Sequence, residues 1–498
     1  MGGGLMQLVA YGAQDIYLTG NPQITFFKVV YRRHTNFAME CIEQTMSGTA
    51  AFGSEVSVTI SRNGDLVNRM YLEHAMTFES TTAATTDNTL LCERYGDSLI
   101  KECEIEIGGQ KIDKHISMWN RVWSDLTEFN PTGLLGYGPA LTTTPITAVN
   151  GASGTLQQLM TGNGLGLSNG GTGTASAFGV ADGGVVNGFT YTNGTTVDVG
   201  TIFLPLQFWF CRNPGLALPL IALQYHEVKV KMTFETKANL ARSMHQTTNG
   251  TVIAFAEVAA PVSPNFNLWC DYIYLDTDER RRFAQVSHEY LIEQLQYSEN
   301  TVTSASTSIA LNFNHPVKEL IWCTRNEGTA STSRCGASGE SGVLNDPSAG
   351  PASLDGMGGN WQLKLNGHDR FKVRDTKYFT RTQVWQHHTG YGALATRGSA
   401  AADSDLTTET AAVLVGSDSI AVYSFALKPE EHQPSGTCNF SRIDNAQLVG
   451  TSLLIAREGE NVAADTPAAT DAMKLTIFAV NYNVLRIMSG MGGLAYSN

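Results

Sequence analysis

No hydrophobic run in this sequence is long enough to cross a membrane. The longest, residues 202–211, is about half the length that a membrane-spanning helix needs. The N-terminus has no basic region followed by an apolar core, so no secretory signal is predicted, and Met6 stands where N-myristoylation requires Ser or Thr. We therefore expect a soluble chain that is made inside the cell and is reduced when it is made.

Positive charge is scarce. The chain has 33 Lys and Arg residues against 46 Asp and Glu residues, which gives a net charge of −13. A protein that binds nucleic acid non-specifically needs a basic face to displace counterions, so we expect no direct contact with nucleic acid. The basic run at residues 280–282 follows Asp276, Asp278 and Glu279, a mixture typical of a solvated linker with internal ion pairs. Protein or membrane partners are favoured.

Cysteine pairs of the C-x-x-C type are missing, and no His/Cys spacing suits zinc. Several of the cysteines lie in apolar segments, where a free thiol behaves as a small hydrophobic side chain. We therefore predict no metal and no cofactor. The eight cysteines are Cys41, Cys92, Cys103, Cys211, Cys270, Cys323, Cys335 and Cys438.

Catalytic motifs are also missing. There is no G-x-S-x-G nucleophile motif, and no carboxylate pair stands in a motif that would raise one pKa. The pair His387-His388 precedes a Gly-rich stretch with no ligand at a metal spacing, so we predict a surface loop there. His226-Glu227 is predicted to lie on an alternating strand with its polar face outward. The sequence favours a protein that is not an enzyme.

The sequence does contain an internal repeat of strand-like segments. Four strand-like signals between residues 56 and 275 return in the same order between residues 309 and 480. Each alternates apolar and polar residues and ends in turn residues, which is typical of strands with one buried face. The paired signals are residues 56–60 and 309–313, 105–112 and 363–371, 203–234 and 422–454, and 268–275 and 475–480.

The second pair of signals predicts two tight hairpins. Ile105 and Ile107 lead into Gly108-Gly109, and Leu363 and Leu365 lead into Asn366-Gly367. Two-residue hairpin turns of this kind require positive φ at their central residues, which Gly and Asn tolerate. We therefore expect Gly108, Gly109, Asn366 and Gly367 to form the turns.

The repeat predicts an all-β chain of two consecutive sandwiches, because each copy is far longer than a solenoid unit. We predict an N-terminal arm at residues 1–26, a first sandwich at 27–285 and a second at 286–498. Short helices are expected only in connections, at residues 117–127 and 376–385.

Three segments rich in Gly, Ser, Thr, Asn and Ala interrupt the strand pattern. They are residues 130–200 in the first copy and residues 327–360 and 390–417 in the second, and we predict surface loops for all three. Asn193 and Asn249 stand in Asn-x-Ser/Thr sequences in such loops and are candidate glycosylation sites, whereas Asn439 lies in an apolar segment and matches by chance.

Five stretches of the chain closely resemble the major capsid proteins of large icosahedral nucleocytoplasmic DNA viruses of algae and protists. They run from one end of the sequence to the other, which makes coincidence implausible. The stretches are residues 7–37, 214–228, 289–295, 434–445 and 483–496.

The resemblance implies a double jelly roll, with two eight-stranded sandwiches standing roughly perpendicular to a shell. Three subunits would form a pseudo-hexagonal homotrimer that packs against neighbouring capsomers in an icosahedral capsid. It further implies that the loops form outer towers that can be glycosylated, and that the arm lies on the inner side, near minor capsid proteins, the penton protein and an internal membrane. The protein would then belong to the virion capsid, made and assembled in the host cytoplasm.

Two functions of other classes stay open on the sequence. A glycan-binding lectin or virion fibre would share the jelly roll, and a cluster of aromatic and carboxylate residues in one loop set would favour it. A β-sandwich carbohydrate-active enzyme would need two carboxylates across a cleft, and no such pair is evident.

Overall fold

The computed structural model describes residues 3–23, 31–80, 87–91, 94–128, 191–193, 196–246, 252–259, 264–326, 357–390, 418–453 and 473–496, with residues 29, 157, 160–161, 351–352, 354 and 392. Strands dominate these residues, and every strand pair is antiparallel. The strands form two pairs of sheets, one from the first half of the chain and one from the second.

The first half contains fourteen strands in the described residues, arranged in two sheets. A nine-stranded sheet has the order β1-β14-β4-β13-β12-β5-β8, with β9 and β10 also paired to β4, and a five-stranded sheet has the order β2-β3-β11-β6-β7. The strands are β1 (Phe37–Gln44), β2 (Met46–Ser47), β3 (Glu55–Thr59), β4 (Leu66–Ser80), β5 (Asp87–Leu91), β6 (Ile100–Ile107), β7 (Gln110–Ile116), β8 (Tyr191–Asn193), β9 (Thr196–Pro205), β10 (Leu218–Pro219), β11 (Val228–Phe234), β12 (Ala241–Gln246), β13 (Val252–Ala259) and β14 (Asn265–Leu275).

The core of the first sandwich follows from the alternation in its strands. In β11 every second residue is buried, and Val230 pairs with Val58 of β3 on one side and with Ile105 of β6 on the other. These three side chains are fully buried in the same cluster as Leu72 and Leu268 of the larger sheet. The two sheets therefore face each other across one apolar core, as in any sandwich.

The second half repeats this arrangement with eleven described strands. A six-stranded sheet has the order β15-β24-β17-β21, with β22 on β17 and β25 on β24, and a five-stranded sheet has the order β16-β23-β18-β19, with β20 on β18. The strands are β15 (His288–Val302), β16 (Thr307–Ala310), β17 (Pro316–Asn326), β18 (Asn360–Leu365), β19 (His368–Asp369), β20 (Arg374–Asp375), β21 (Ile420–Ser424), β22 (Cys438–Asn439), β23 (Ala446–Thr451), β24 (Met473–Met488) and β25 (Met491–Leu494).

Short helices lie between the strands. They are α1 (Gly3–Val9), α2 (Ile16–Thr19), α3 (Tyr95–Leu99), α4 (Ser117–Thr127), α5 (Trp209–Arg212), α6 (Lys237–Leu240), α7 (Thr277–Gln285) and α8 (Gln383–His387). Helix α4 has the predicted bounds, and the segment predicted at 376–385 contains a π-helical turn, Tyr378–Thr382, that continues into α8. The basic run at residues 280–282 belongs to α7, where Arg280 Nη2 lies 2.9 Å from Asp65 Oδ2.

Within the paired signals at residues 203–234 and 422–454, the apolar segments 203–210 and 440–454 are strands over only part of their length. Strand β9 ends at Pro205, and helix α5 begins at Trp209. Phe208, Trp209 and Phe210 are all buried, so the alternation of buried and exposed side chains that is typical of a strand does not continue here. In the second copy, Phe440–Arg442 forms a 3-10 turn and only Ala446–Thr451 is a strand. The loops predicted at 130–200, 327–360 and 390–417 lie largely outside the described residues.

Both hairpin turns have left-handed backbone at their two central residues. The φ angles are +59° for Gly108, +82° for Gly109, +50° for Asn366 and +78° for Gly367. In the first hairpin Ile107 pairs with Gln110, and in the second Leu365 pairs with His368. These turns set the register of the strands on either side.

We expect Gly367→Val to lower the free energy of unfolding by roughly 1–3 kcal/mol, because a β-branched residue is strained at positive φ. A Cβ at this position meets nothing within 4 Å, so the effect isolates backbone strain from crowding. Gly367→Asn is the matched control and should retain most of the stability, since Asn tolerates this conformation. Thermal and denaturant unfolding would measure both, and an unchanged stability in the valine variant would contradict the turn geometry.

Candidate functional site

The six-stranded sheet of the second half is buried on both faces. Along β24, Leu475, Ile477 and Ala479 point into the core of the second sandwich, whereas Phe478 and Val480 belong to a separate apolar cluster on the other side of the sheet. Two buried faces explain why this strand reads as a continuous apolar run. The outer face must therefore be covered by another part of the chain.

Helix α4 of the first half covers that outer face. Its buried side chains include Trp119 and Trp123, whose ring centroids lie 5.3 Å apart. The ring centroid of Trp119 lies 5.2 Å from that of Phe478. Met118 Sδ lies 3.3 Å from Cys323 Sγ on β17. We call this contact between α4 and the six-stranded sheet the junction, and it joins the two sandwiches through an apolar core of its own.

A buried charged cluster lies at the C-terminal half of α4. Asp125 is fully buried, with its carboxylate 2.5 Å from Arg94 Nη2 and 3.6 Å from Arg121 Nε. Arg121 Nη1 donates a hydrogen bond to the carbonyl oxygen of Ala352, which lies in the second half. Polar contacts therefore reinforce the junction where its apolar contacts end.

His388 forms a second buried charged cluster, with Glu319 and Glu430. Its Nε2 lies 3.0 Å from Glu319 Oε2 and its Nδ1 lies 3.0 Å from Glu430 Oε1, and the imidazole is fully buried. The sequence predicted a surface loop here, and that prediction is wrong for His388. The two carboxylates that bind His388 come from segments far away along the chain, so the residues next to His388 in the sequence could not predict them.

The residues after His388 form a strap that closes the end of α4. The backbone N–H of Gly390 donates to the carbonyl oxygen of Leu126 at 2.7 Å, and that of Gly392 donates to the carbonyl oxygen of Asp125 at 2.9 Å. A Cβ at Gly390 would clash with both of these helix residues, so only glycine allows the approach. The strap satisfies carbonyl groups that the end of a helix otherwise leaves unpaired.

Two glutamates decide the charge of His388. Burial alone would lower the pKa of the imidazole, but Glu319 and Glu430 outweigh burial and raise the pKa of His388 to about 9. The imidazolium then donates a hydrogen bond to each carboxylate. Because both partners are ionised, these are the stronger kind of hydrogen bond.

Glu293, Lys318 and Arg212 form another charged cluster. Glu293 accepts from Lys318 Nζ at 2.6 Å and from Arg212 Nη2 at 3.1 Å, and Arg212 also lies over the Trp123 ring. Burial would raise the pKa of Glu293, but Arg212, His432 and Lys318 lower it to about 2. Arg212 is in the first half and Glu293 in the second, so this ion pair also crosses between the sandwiches.

His226 lies outside the strand predicted for it. Strand β11 begins at Val228, and His226 Nδ1 lies 2.9 Å from the carbonyl oxygen of Gly492, in the hairpin that ends the second half. The first half therefore touches the second at this hairpin too.

A cleft of about 690 Å³ opens beside the junction. Its floor contains Met70, Leu206 and Cys211, which are buried, and its rim contains Tyr71 and Phe203. The remaining lining residues are Arg69, Trp123, Thr127, Met160, Pro205, Gln207, Arg212, Asp271 and Glu430. All but Glu430 belong to the first half.

The N-terminal arm is the main exposed apolar segment of the described chain. Helices α1 and α2 contain no buried residue, and β1 is largely exposed at the edge of its sheet. The exposed large apolar side chains of the arm are Leu5, Met6, Leu8, Val9, Tyr11, Ile16, Tyr17 and Leu18. Exposed apolar side chains in this number make the arm a candidate site of contact.

The candidate glycosylation sites are only partly described by the structure. The backbone of Asn193 ends β8, and Asn249 lies outside the described residues. Over the described ranges, no group of three His, Cys, Asp or Glu side chains could hold a metal ion, and no helix has the length and apolarity to span a membrane.

We expect the junction to weaken as the pH rises from about 6.5 to about 9. The pKa of His388 is raised by folding, so its contribution is complete below the ordinary pKa of histidine and is lost as the pH passes through its folded pKa of about 9. This change in pKa corresponds to about 3 kcal/mol of folding free energy. Urea unfolding at several pH values would measure this loss.

His388→Gln should remove most of this pH dependence and lower stability at pH 6.5. The matched control is His387→Gln, because the neighbouring His387 is only half buried and its Nδ1 lies 3.2 Å from the carbonyl oxygen of Leu427 rather than from a carboxylate. This control should keep the wild-type pH profile. Equal pH profiles for wild type and His388→Gln would show that the ion pairs of His388 with Glu319 and Glu430 do not contribute.

Comparison with known proteins gives one consistent family. A family model described as major capsid protein N-terminus matches residues 25–276, and one described as large eukaryotic DNA virus major capsid protein matches residues 279–392 and 409–493. The chain is 47% identical to the major capsid protein of Pyramimonas orientalis virus and 39% identical to that of Paramecium bursaria Chlorella virus 1, each over 100% of both chains.

Solved structures agree with this assignment. A quasi-atomic model of the PBCV-1 virus capsid matches 95% of this chain and 100% of its own, with 33% identity and a TM-score of 0.66. The Faustovirus major capsid protein shares the fold at 13% identity, with a TM-score of 0.58, over 96% of this chain and 94% of its own. The chain is a double jelly roll. It belongs to the major capsid proteins of the large eukaryotic DNA viruses.

Proposed function

We propose that three copies of this chain close into a pseudo-hexagonal capsomer, and that such capsomers tile an icosahedral virus shell. The capsid role itself follows from the family. Support for the hexagonal outline comes from the two sandwiches within each chain, because three chains then place six similar blocks in a ring. A contact between two different patches that closes after three subunits gives such a ring.

The main support for this proposal is the junction between the two sandwiches. A ring of six blocks keeps its outline only if the two blocks within each chain hold a fixed angle. The α4 packing, the Arg212–Glu293 ion pair and the strap at Gly390 connect the two sandwiches at separate points. Separate points of attachment oppose rotation of one sandwich on the other.

We propose a division of the chain at residues 285 and 286, after an arm at residues 1–26. Support comes from the sheets, since strands from residues 37–275 pair only among themselves in the described chain, as do those from residues 288–494. Helix α7 makes the connection, and Asp276 begins it by accepting a hydrogen bond from the backbone N–H of Thr277. A charged, exposed connection of this kind is typical of a domain boundary.

The arm is the part that we assign to contacts beneath the shell. Its exposed apolar side chains suit minor capsid proteins, the penton protein or the surface of an internal membrane. The loops at 130–200, 327–360 and 390–417 are assigned to the outer surface, with Asn193 and Asn249 as candidate glycosylation sites. The protein is assigned to the virion capsid, with assembly in the host cytoplasm.

We also propose that the chain has no catalytic activity and needs no cofactor, since its relatives are structural capsid proteins. The alternative of a glycan-binding lectin or fibre has no support among these relatives. For a carbohydrate-active enzyme, the carboxylates Asp271 and Glu430 both line the cleft, but Glu430 is already bound to His388 and Thr389.

We expect the purified protein to have a mass of three chains of 53.8 kDa and a hexagonal outline in electron micrographs. A ring of three subunits should bury more than the roughly 1,200–2,000 Å² of an ordinary interface, so it should persist at micromolar concentration. Mass measurement in solution across a dilution series would test this. A stable monomer at micromolar concentration would exclude the capsomer.

We expect residues 27–285 and 286–498, produced separately, to be β-rich and poorly soluble. The first piece would expose the apolar face of α4 and the second would expose Phe478 and Val480. Mixing the two pieces during refolding should restore solubility, whereas mixing either piece with an unrelated β-sandwich should not. Two soluble pieces with no affinity for each other would contradict the role given to the junction.

A further inference from the structure

We propose that residues 368–377 of one subunit bind, through charge, to the outer face of strands β1, β14 and β4 of a neighbouring copy of this chain. We call residues 368–377 the basic hairpin. This contact repeats the junction between chains, with ion pairs where the junction has an apolar core. The inference rests on the ring of three subunits proposed above and names the two surfaces that close it.

The strands that form the junction have counterparts in the other half of the chain. In the first half β1 pairs with β14 and β14 with β4, and in the second half β15 pairs with β24 and β24 with β17. In the smaller sheets, β6 and β7 correspond to β18 and to the short strands β19 and β20. Each hairpin leads into a helical segment, which is α4 in the first half and the π-helical turn with α8 in the second. Each chain therefore contains both sides of the junction twice.

One of the two possible contacts is made within the chain. Strand β7 and helix α4 lie against the sheet of the second half, where the backbone N–H of Leu295 on β15 donates to Asp113 Oδ1 at 3.1 Å. The corresponding surfaces of the other contact are exposed. In the basic hairpin residues 368–370 and 372–375 are exposed, and in β1 only Gln44 is buried.

The basic hairpin carries unpaired positive charge, although the chain as a whole has a net charge of −13. None of its exposed cations makes an ion pair with a carboxylate of the described chain, and the guanidinium of Arg374 lies 4.1 Å from the centroid of the Tyr378 ring. Of the two carboxylates in the hairpin, Asp369 lies 3.8 Å from Lys364 and Asp375 accepts the backbone N–H of Lys377. The exposed cations are Arg370, Lys372, Arg374 and Lys377.

The outer face of the first-half sheet carries the opposite charge. We call Glu43 on β1, Asp271 on β14 and Glu73 on β4 the acidic face. Glu43 pairs with Trp269 in the strand register, and Glu73 accepts the indole N–H of Trp269, so these side chains share one face of the sheet. No ion pair engages any of the three carboxylates in the described chain. Arg69, which lines the cleft together with Asp271, is the nearby cation, so negative charge is in excess.

Equivalent positions show why one contact is apolar and the other charged. Every second residue from Leu268 to Tyr272 on β14 lies in the core of the first sandwich, as every second residue from Leu475 to Ala479 on β24 lies in that of the second. In this alignment Asp271 occupies the place of Phe478, which is at the centre of the junction. A contact within one chain stays closed, whereas surfaces that meet between chains must remain soluble beforehand. Charged surfaces meet that requirement.

The basic hairpin and the acidic face are different patches, so their contact is heterologous. Each chain has one of each, and the junction joins the two sandwiches that carry them. Contacts within chains then alternate with contacts between chains. Six sandwiches related in this way close into a ring after three chains.

We expect salt to dissociate the ring without unfolding the chain. The distance over which exposed charges interact falls from about 10 Å in about 0.1 M salt to about 3 Å in about 1 M salt. The protein concentration at which the trimer dissociates should therefore rise by at least about tenfold between these two buffers. Sedimentation velocity over a dilution series would measure it. Circular dichroism should show the same fold in both buffers, because the apolar junction is insensitive to salt.

Charge reversal tests which surfaces meet. Arg370→Glu with Lys372→Glu should give a folded monomer in the low-salt buffer, because like charges then face each other. Glu43→Lys with Asp271→Lys should do the same from the other side. All four substitutions in one chain restore opposite charges and should restore the trimer.

The matched control is Lys101→Glu with Lys237→Glu. These two lysines of the first half also have no ion pair in the described chain, and they lie on β6 and α6, away from the basic hairpin and the acidic face. This variant changes the net charge as much as reversal of the hairpin does. It should keep the mass of the trimer and its dependence on salt.

The outcomes separate this proposal from the one on which it rests. A trimer that persists in the high-salt buffer and in the reversed hairpin variant would overturn the charged contact and leave the capsomer intact. Monomers that the combined variant does not restore would show that the hairpin binds another surface, which also overturns the pairing. Binding to phosphatidylserine vesicles that is lost on hairpin reversal, with the trimer unchanged, would assign the hairpin to an anionic membrane instead. A wild-type monomer in the low-salt buffer would overturn both proposals.

Discussion

Everything else in this chain depends on the packing of helix α4 against the outer face of the six-stranded sheet. Sandwiches usually leave the outer faces of their sheets to solvent, but here Phe478 and Val480 form a third apolar core with Trp119 and Trp123. The large aromatic rings dominate this contact because each buries more apolar area than any aliphatic side chain. Two sandwiches that could be separate domains are thereby joined into one block.

The charged groups around the junction have a different role from its apolar core. Buried ion pairs rarely add much net stability, because removing charges from water costs about as much as their attraction returns. They do penalise any other arrangement, since a displaced strap would leave Glu319 or His388 buried without its partner. The apolar contact therefore supplies the affinity of one sandwich for the other, and the charges select a single orientation.

Local patterns in the sequence were sufficient for the features that depend on neighbouring residues. The bounds of α4 and the two hairpin turns follow from apolar spacing and from the Gly and Asn residues at the turns. The environment of His388 could not be predicted, because Glu319 and Glu430 are 69 and 42 residues away along the chain.

A block whose two sandwiches hold a fixed angle cannot bend to follow a curved surface. Since α4, the strap and the Arg212–Glu293 pair attach the sandwiches at several points, the strain of closing a shell cannot be absorbed inside the chain. The curvature of such a container must then arise along the seams where blocks meet. Its diameter would be governed by whatever occupies those seams, and the same block could serve containers of more than one size.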